Sequence, residues 1–179
     1  MLNGTLFAKP GVSIAREEPS PENDAAWAQY ERALTCCVTR EDILKLGKGP
    51  ETVARFHNDY CGMGDDAYID MMRQIHSLNL LRKAAFANYP GYDPNLDPND
   101  DMWWIHLSHC TDTLLQNIQC NANTEVLTLA WVDDRQAPWP DFSVNRKCRD
   151  FLALVNWQHE NAADPDRFDR MPIPEDAFI

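Results

Sequence analysis

The sequence lacks any long apolar segment. Its main apolar runs, at Ile69–Met72 and Leu78–Leu81, are short and interrupted by polar residues. About 20 consecutive apolar residues are needed to cross a bilayer as a helix. No apolar stretch typical of a secretory signal follows Met1 either. The sequence by itself therefore predicts a soluble domain.

Basic residues are also few. Lysine and arginine number 16 against 28 aspartates and glutamates, so the formal net charge is −12 and the isoelectric point is about 4.7. Such a surface repels phosphate backbones and anionic membranes, and no local cluster of basic residues offsets it. We therefore expect no nucleic-acid partner.

The six cysteines include no Cys-x-x-Cys pair, which excludes the ligand spacing of zinc fingers. Buried thiols are the simplest interpretation for a cytosolic protein. Asn3-Gly4-Thr5 is a possible glycosylation acceptor, although such triplets are common by chance. The cellular compartment stays open at this point.

What the sequence does contain is a set of helix signals spread over 179 residues, enough for one domain. Ser20 and Pro21 predict a helix start, and Thr39-Arg40-Glu41-Asp42 predicts a capping box with Gly47 as the stop. A short helix is expected over Pro50–His57. Apolar spacing predicts two longer helices, at about Tyr68–Phe86 and Asp101–Gln119, which we call the first and second motif helices.

The remaining elements are smaller. Glu125–Val132 predicts a strand, with Leu2–Ala8 as a possible partner, and the sequence Pro138-Trp139-Pro140 argues against regular structure. A last helix is expected after an Asn145 cap, with Cys148, Phe151, Leu152 and Val155 facing inward. We predict a mainly α protein with a small β element: one helical domain over residues 1–162, its two motif helices packed side by side, followed by an extended tail over residues 163–179.

The second motif helix carries the chemistry-bearing sequence His106-Leu107-Ser108-His109-Cys110. Residues three apart lie on one helical face, so both imidazoles can address one metal ion, and copper, zinc, iron and nickel all accept imidazole. If the two motif helices pack antiparallel, His76 is the candidate third ligand. The alternative is that these histidines are hydrogen-bonded residues at the margin of the core.

The first motif helix contains an imperfect copy of the same motif. Arg73-Gln74-Ile75-His76-Ser77 aligns with the His-x-x-His-Cys sequence of the second helix. A pair of His-x-x-His-Cys motifs on successive helices is the hallmark of the fungal UstYa/UstYb-like oxidases, and this sequence resembles that family. The resemblance extends over nearly the whole chain, through the segments PSPENDAAW, TREDILKLGKGPETVARF, GDDAYID, WWIHLSHCTDTLLQNIQCNANTEVLTLAWV and PDFSVNRKCRDFLALVNW.

The resemblance implies an enzyme that tailors peptide, polyketide or related natural products by oxidative cyclisation, crosslinking, desaturation, hydroxylation or halogenation. It implies copper as the cofactor, and a domain in the secretory lumen beyond a single N-terminal membrane helix. It also suggests a disulfide between Cys120 and Cys148, which both lie in family-like segments. A homo-oligomer, or a hetero-oligomer with a homologous protein, is a further implication.

The sequence departs from the family pattern in the first motif. Arg73 stands where the leading histidine is expected, and Ser77 stands where the cysteine is expected. Arginine has no lone pair to give a metal, so a centre would consist of His76, His106 and His109. In this oxidative hypothesis, Arg73 orients a carboxylate or enolate of the substrate.

Two other hypotheses stay open. In a redox-neutral cyclase, dehydratase, isomerase or pericyclic catalyst, Arg73 and His76 stabilise an oxyanion while His106 or His109 transfers a proton. In the other, the degenerate motif marks a noncatalytic partner of a homologue.

Further residues are expected around a substrate. Asp70 or Asp66 orients a histidine or simply caps a helix, and Trp103 lines a substrate pocket or packs in the core. Trp104 has the same two alternatives as Trp103, and core packing is favoured for at least one of the two. Less favoured candidates for substrate binding are Tyr68, Trp131, Trp139 and Phe142. For Cys110 we favour a structural role.

Overall fold

The computed structural model of the protein describes residues 13–49, 53, 65–67, 69–92, 101–124, 126–130, 136, 138–142, 145–164, 166 and 170. Its elements in chain order are α1 (Pro21–Glu31), β1 (Cys36–Val38), α2 (Arg40–Lys45), β2 (Asp65–Ala67), α3 (Asp70–Ala85), α4 (Asp101–Asn121), β3 (Thr128–Ala130), β4 (Trp139–Asp141) and α5 (Phe151–Asn161). The predicted mainly α architecture with a small β element is confirmed. The predicted strand over Leu2–Ala8 and the predicted helix over Pro50–His57 lie outside the described residues.

The chain divides into two compact units. Unit 1 comprises Met1–Gln29 and Ser77–Arg149, and unit 2 comprises Tyr30–His76 and Asp150–Ile179. The boundaries fall inside α1 and inside α3, so each of these helices contributes residues to both units. One domain over residues 1–162 with a tail over residues 163–179 stays a prediction. Within the described parts of the chain, no helix is long and apolar enough to span a membrane.

Helix α1 begins where its sequence predicts. The Ser20 side-chain oxygen accepts a hydrogen bond from the Asn23 amide at 3.0 Å, and Pro21 occupies the first helical position. This cap satisfies one of the amides that every helix leaves unpaired at its start. One turn further on, the Trp27 indole is buried and donates to the Ile14 carbonyl at 3.3 Å, which ties α1 to the preceding 3₁₀ turn.

Unit 1 buries a polar group of side chains, which we call the Arg82 cluster: Asp24, Trp27, Asn79, Arg82 and Tyr92. The Arg82 guanidinium contacts the Asp24 carboxylate at 2.6 Å and donates from Nε to Asn79 Oδ1 at 2.8 Å. The central guanidinium carbon, Arg82 Cζ, lies 5.2 Å from the centre of the Trp27 ring and 5.1 Å from the centre of the Tyr92 ring. The cation is thus held by one carboxylate, one amide and two aromatic faces, which offset the cost of burying it.

The same contacts shift two pKa values. Burial by itself would raise the pKa of Asp24, but hydrogen bonds from Tyr92 and Arg82 outweigh it, so this pKa lies below its ordinary value of 3.8. Burial, followed by the hydrogen bond to Asp24, raises the pKa of the Tyr92 hydroxyl. Both shifts favour the charge state in which Asp24 is ionised and Tyr92 is protonated.

Strands β3 and β4 form an antiparallel ribbon in unit 1, in which Leu129 is opposite Pro140. The predicted strand after Glu125 is present, but the expectation that Pro138-Trp139-Pro140 prevents regular structure is wrong. In a two-stranded ribbon every second residue directs its amide away from the partner strand, so a proline that has no amide hydrogen is tolerated at an edge.

The β element of unit 2 is formed around strand β1, which begins at Cys36. Strand β1 pairs antiparallel with β2, with Cys36 opposite Ala67, and Cys36 also forms a β-bridge with Ala162 just after α5. The Ala163 amide donates to the Thr35 carbonyl at 2.8 Å. The buried Gln158 side chain of α5 donates to the Arg32 carbonyl at 3.1 Å. These bonds join the end of α5 to the chain around β1.

Helix α2 has the predicted capping box. The Thr39 hydroxyl accepts from the Asp42 amide at 3.2 Å, and the Thr39 amide donates back to the Asp42 carboxylate at 3.3 Å. The helix is followed by Gly47 at a φ of +72°, in the left-handed region that glycine occupies without strain.

The start of α5 differs from the prediction. The cap is Asp150, whose carboxylate accepts from the Ala153 amide at 3.0 Å, and residues 145–150 are not helical. Asn145 therefore does not cap this helix. Cys148 and Leu152, expected to face inward, are exposed, whereas Phe151 and Val155 are half-buried. Aspartate and asparagine cap helices about equally well, so cap preference alone does not place the start of α5.

The predicted bridge between Cys120 and Cys148 is not formed in the structure. Both residues are exposed thiols. Cys120 lies on the exposed side of the last turn of α4, and the Cys148 sulfur lies 3.9 Å from the Arg146 carbonyl of its own segment. Among the cysteines that the structure describes, Cys37 is disulfide-bonded, whereas the adjacent Cys36 is a buried thiol.

Candidate functional site

Helix α3 carries the first motif. Arg73 is exposed, His76 one turn later is half-buried, and Ser77 retains only 4% of its accessible surface. Asp70 opens the helix and accepts a hydrogen bond from the Gln74 side chain. Asp70 is therefore the first residue of the helix, where its carboxylate contacts the next turn. Its expected role in orienting a histidine or binding a substrate stays a prediction.

Helix α4 carries the second motif. His106 is half-buried, His109 is exposed, and Cys110 retains 1% of its accessible surface. The two histidines are one turn apart, as the spacing predicts, so their imidazoles emerge on the same side of the helix. His109 is accessible to a ligand from solvent.

The last residue is buried in both motifs. Ser77 and Cys110 close their respective motifs, and both are buried, while the positions that carry histidine or arginine are exposed or half-buried. The final residue of the motif is thus a packing position for a small side chain. A structural role for Cys110 fits this burial.

Unit 2 gives His76 a partner that sequence reasoning missed. The His76 Nδ1 atom lies 3.6 Å from the Glu31 carboxylate, which comes from the end of α1. This distance is an ion-pair contact when the imidazole is protonated, and it is longer than a good hydrogen bond. Glu31 and His76 are far apart in sequence, so no local pattern indicates the pairing.

The expected pocket residues that the structure describes differ in their exposure. Trp103 is half-buried on α4, Trp104 beside it is exposed, and Phe142 is exposed after β4. Tyr68 and Trp131 lie outside the described residues. Their roles towards a substrate stay predictions.

Arg73 and His76 belong to unit 2, and His106 and His109 belong to unit 1. Among the residues that the structure describes, no group of three or more histidine, cysteine, aspartate or glutamate side chains is arranged to hold a metal ion. The three-histidine centre therefore stays a prediction. The donor chemistry itself suits a transition metal, because His106 and His109 supply two imidazoles from successive turns of one helix.

Comparison with known proteins places this arrangement in a family. The family model described as mycotoxin biosynthesis protein UstYa matches residues 3–161. The UstYa family oxidase aprY of Aspergillus flavus is 66% identical over an alignment 186 residues long. This alignment covers 99% of this chain and 56% of that protein. The UstYa family oxidase phomYc of Diaporthe leptostromiformis is 26% identical, over 84% of this chain and 60% of its own length.

A shorter match involves the oxidase ustYa of Aspergillus flavus, which is 33% identical over 53% of this chain and 41% of that protein. The chain thus spans about half the length of the curated relatives it matches. No solved structure matches the chain. The two motif helices and the family match over nearly the whole chain lead to one conclusion: this chain belongs to the UstYa family.

Proposed function

We propose that the protein is an oxidative tailoring enzyme of secondary metabolism, acting on a peptide or small-molecule intermediate by cyclisation, crosslinking or desaturation. The observation that carries the proposal is the pair His106 and His109 on successive turns of α4, one half-buried and one exposed, in a chain whose family relatives are named oxidases. His76 is the third residue of the proposed set.

The proposed role of the three histidines is to hold a copper ion. Neutral imidazole nitrogen is a ligand that copper accepts readily, and three protein ligands leave coordination positions open. When bound, copper supplies one-electron oxidation of the substrate. Cys110 is buried in the helix packing and is not part of this proposed set.

Arg73 has a proposed role in binding the substrate. Its guanidinium is exposed one turn before His76, and it stays charged at every physiological pH. A guanidinium binds carboxylate and enolate oxygens through two parallel hydrogen bonds. In this position it orients an anionic group of the substrate relative to the imidazole of the next turn.

Copper binding tests the proposal most directly. We expect the purified protein to bind copper and the His109→Ala variant to bind it at least about 100-fold more weakly, because loss of a ligand exceeds the effect of losing a supporting contact. His159→Ala is the matched control, because it removes an exposed histidine of α5 that lies outside both motifs. Equal affinities of the two variants would contradict the proposed ligand set.

A second candidate function has its own observation, the contact between Glu31 and His76. A carboxylate beside an imidazole fixes the orientation of the ring. In this redox-neutral alternative, the Glu31 carboxylate orients His76, which stabilises an oxyanion together with Arg73. His106 or His109 transfers the proton in a cyclisation, dehydration or isomerisation.

The two functions predict different products. Oxidation removes hydrogen from the substrate or adds oxygen, and it stops when oxygen or metal is removed. The redox-neutral reaction proceeds without oxygen and in the presence of a chelator, and Glu31→Gln slows it. Mass spectrometry of the pathway intermediate before and after incubation distinguishes these outcomes.

A further inference from the structure

The end of helix α1 places a carboxylate beside the first motif helix. Glu31 is the last residue of α1, and its Oε2 atom lies 3.6 Å from Nδ1 of His76 on α3. The Glu31 side chain retains 22% of its accessible surface, and the His76 side chain retains 34%. Because both groups are half-buried, water screens this contact less than it screens an ion pair on the open surface.

The residues on either side of Glu31 hold the end of α1 in place. The Tyr30 ring packs against the Phe151 ring of α5, with 5.6 Å between the ring centres. The Arg32 carbonyl accepts a hydrogen bond from the Gln158 side chain of the same helix at 3.1 Å. Glu31 thus lies between two residues that are tied to α5. Its carboxylate is presented from a fixed backbone position, as a residue that orients another side chain requires.

The backbone of His76 is fixed as well. Met72, one turn earlier on α3, retains 1% of its accessible surface, and Ser77, the next residue, retains 4%. Helix α3 is therefore packed on both sides of position 76, while the imidazole itself is half-buried. A side chain on a packed helix has few rotamers open to it. In the rotamer that the structure has, Nδ1 of His76 faces the Glu31 carboxylate.

This contact determines which ring nitrogen carries the hydrogen. A neutral imidazole has one N–H group and one nitrogen with a lone pair. If the lone pair were on Nδ1 of His76, it would face the negative Glu31 carboxylate at 3.6 Å, and the two would repel each other. With the hydrogen on Nδ1 the same contact is attractive, and Nε2 keeps the lone pair. The partner of one ring nitrogen ordinarily decides in this way which nitrogen binds a metal.

The place of Glu31 in its own helix supports a role in that contact. The negative end of a helix dipole lies at the C-terminus, so a carboxylate in the last turn is unfavourable. The last turn of α1 contains no basic residue that would offset this cost. An N–H donor from α3 offsets part of it. Glu31 is thus better explained by its contact with His76 than by the helix that carries it.

We propose that Glu31 is a positioning residue for His76. Its carboxylate holds the ring hydrogen on Nδ1 and leaves the Nε2 lone pair for a metal ion. The location of the hydrogen follows from the contact, whereas copper as the metal rests on the proposed function. Glu31 itself binds neither the metal nor the substrate in this proposal.

The two proposed functions require different hydrogens on His76. A metal ligand requires the lone pair on Nε2, which a neutral ring with its hydrogen on Nδ1 supplies. Stabilisation of an oxyanion through Nε2 requires a hydrogen on that nitrogen, and beside Glu31 this means a ring protonated on both nitrogens. Locating the hydrogens of His76 therefore separates the ligand role from the oxyanion role.

The first experiment locates the hydrogen in the metal-free protein. Long-range ¹H–¹⁵N correlation spectra of the ¹⁵N-labelled chain at pH 8, where an ordinary imidazole is neutral, distinguish the two tautomers and the protonated ring. His76→Gln identifies the signals of His76. We expect the Nδ1–H form in the wild type and the Nε2–H form in Glu31→Ala. Glu22→Ala, in the first turn of the same helix, is the matched control and keeps the wild-type pattern.

The second experiment measures the affinity of the same variants for Cu²⁺. Loss of a carboxylate that supports a metal-binding histidine costs about 10–100-fold in affinity, so Glu31→Ala is expected to bind copper at least about 10-fold more weakly than the wild type. Glu22→Ala is expected to bind it unchanged. Circular dichroism verifies that both variants are folded.

Several results would overturn the proposal. These are an Nε2–H or a doubly protonated His76 in the wild type at pH 8, or the same tautomer in Glu31→Ala as in the wild type. Equal copper affinities of Glu31→Ala and Glu22→Ala would overturn the role of Glu31 towards the metal. A wild-type protein that binds no copper would contradict the proposed function instead, and the spectra of the metal-free chain would still decide where the hydrogen lies.

Discussion

Helices α3 and α4 carry two versions of one motif, and they differ in what surrounds it. Both bury the last motif position, Ser77 in α3 and Cys110 in α4. The first motif position differs in residue type, because α3 has Arg73 where α4 has His106. The motif is therefore partly a packing pattern, which is retained in both helices, and partly a chemical pattern, which is complete in α4 alone.

The two helices also satisfy their polar side chains differently. Helix α3 directs Arg82 to Asp24 of α1, whereas Ser108 and Thr111 of α4 bond to carbonyls of their own helix. Removing Arg82 from α3 should therefore disturb a tertiary contact. Removing Ser108 or Thr111 from α4 should not.

The largest expected effect on stability comes from Arg82. Arg82→Ala leaves the partly buried Asp24 carboxylate without its cation and removes two ring contacts, so we expect the free energy of unfolding to fall by about 3 kcal/mol. Asp112→Ala in α4 is the comparison, with an expected change within about 0.5 kcal/mol. Urea titration followed by circular dichroism measures both. Similar losses in the two variants would remove the distinction between the helices.

A smaller effect is expected at the shared buried position. Cys110→Ser buries a hydroxyl in place of a thiol and should cost about 1–2 kcal/mol of unfolding free energy. The opposite exchange, Ser77→Cys, should change it by less than about 1 kcal/mol, because a thiol is tolerated in a buried site of similar size. Thermal unfolding of both variants tests this asymmetry. Equal destabilisation would mean that the two positions are not equivalent.

The smallest effect is a pH dependence in the Arg82 cluster. The pKa of Asp24 is lowered in the folded protein, so its ionised form contributes stability above the ordinary carboxyl range. That contribution disappears as the pH falls through the folded-state pKa, below about 4. The melting temperature of the wild type should exceed that of Asp24→Asn at pH 6, and the difference should shrink in acid. A constant difference would contradict the assigned shift.

The sequence contained enough information for the features that depend on neighbouring residues. The Ser20 start of α1, the capping box of α2 and the two long motif helices each follow from local hydrogen bonding or periodicity, and the structure has all of them. The periodic apolar spacing of α3 and α4 also located the two motifs on helices. Local rules are reliable here because the hydrogen bonds and side-chain contacts of a helix join residues three or four positions apart.

Features that depend on distant residues were missed. No local pattern pairs Glu31 with His76 or Arg82 with Asp24, since each contact joins segments that are remote in sequence. The strand at Trp139–Asp141 was missed because Pro140 within it and Pro138 before it argue against a strand, unless their amide positions face away from the partner strand. In the candidate site, the spacing gave the shared face of His106 and His109, but it could not give their exposure.

The neighbouring cysteines of β1 have a consequence for oxidative folding. The pleat of a strand directs consecutive side chains to opposite faces, and it places the Cys36 thiol in the interior, 3.5 Å from the Leu34 carbonyl, while Cys37 is in a disulfide. Thiol–disulfide exchange requires that the attacking sulfur reach the disulfide, and the Cys36 sulfur is buried on the other face of the strand. The folded strand thus protects its own disulfide from scrambling by the nearest cysteine in the sequence.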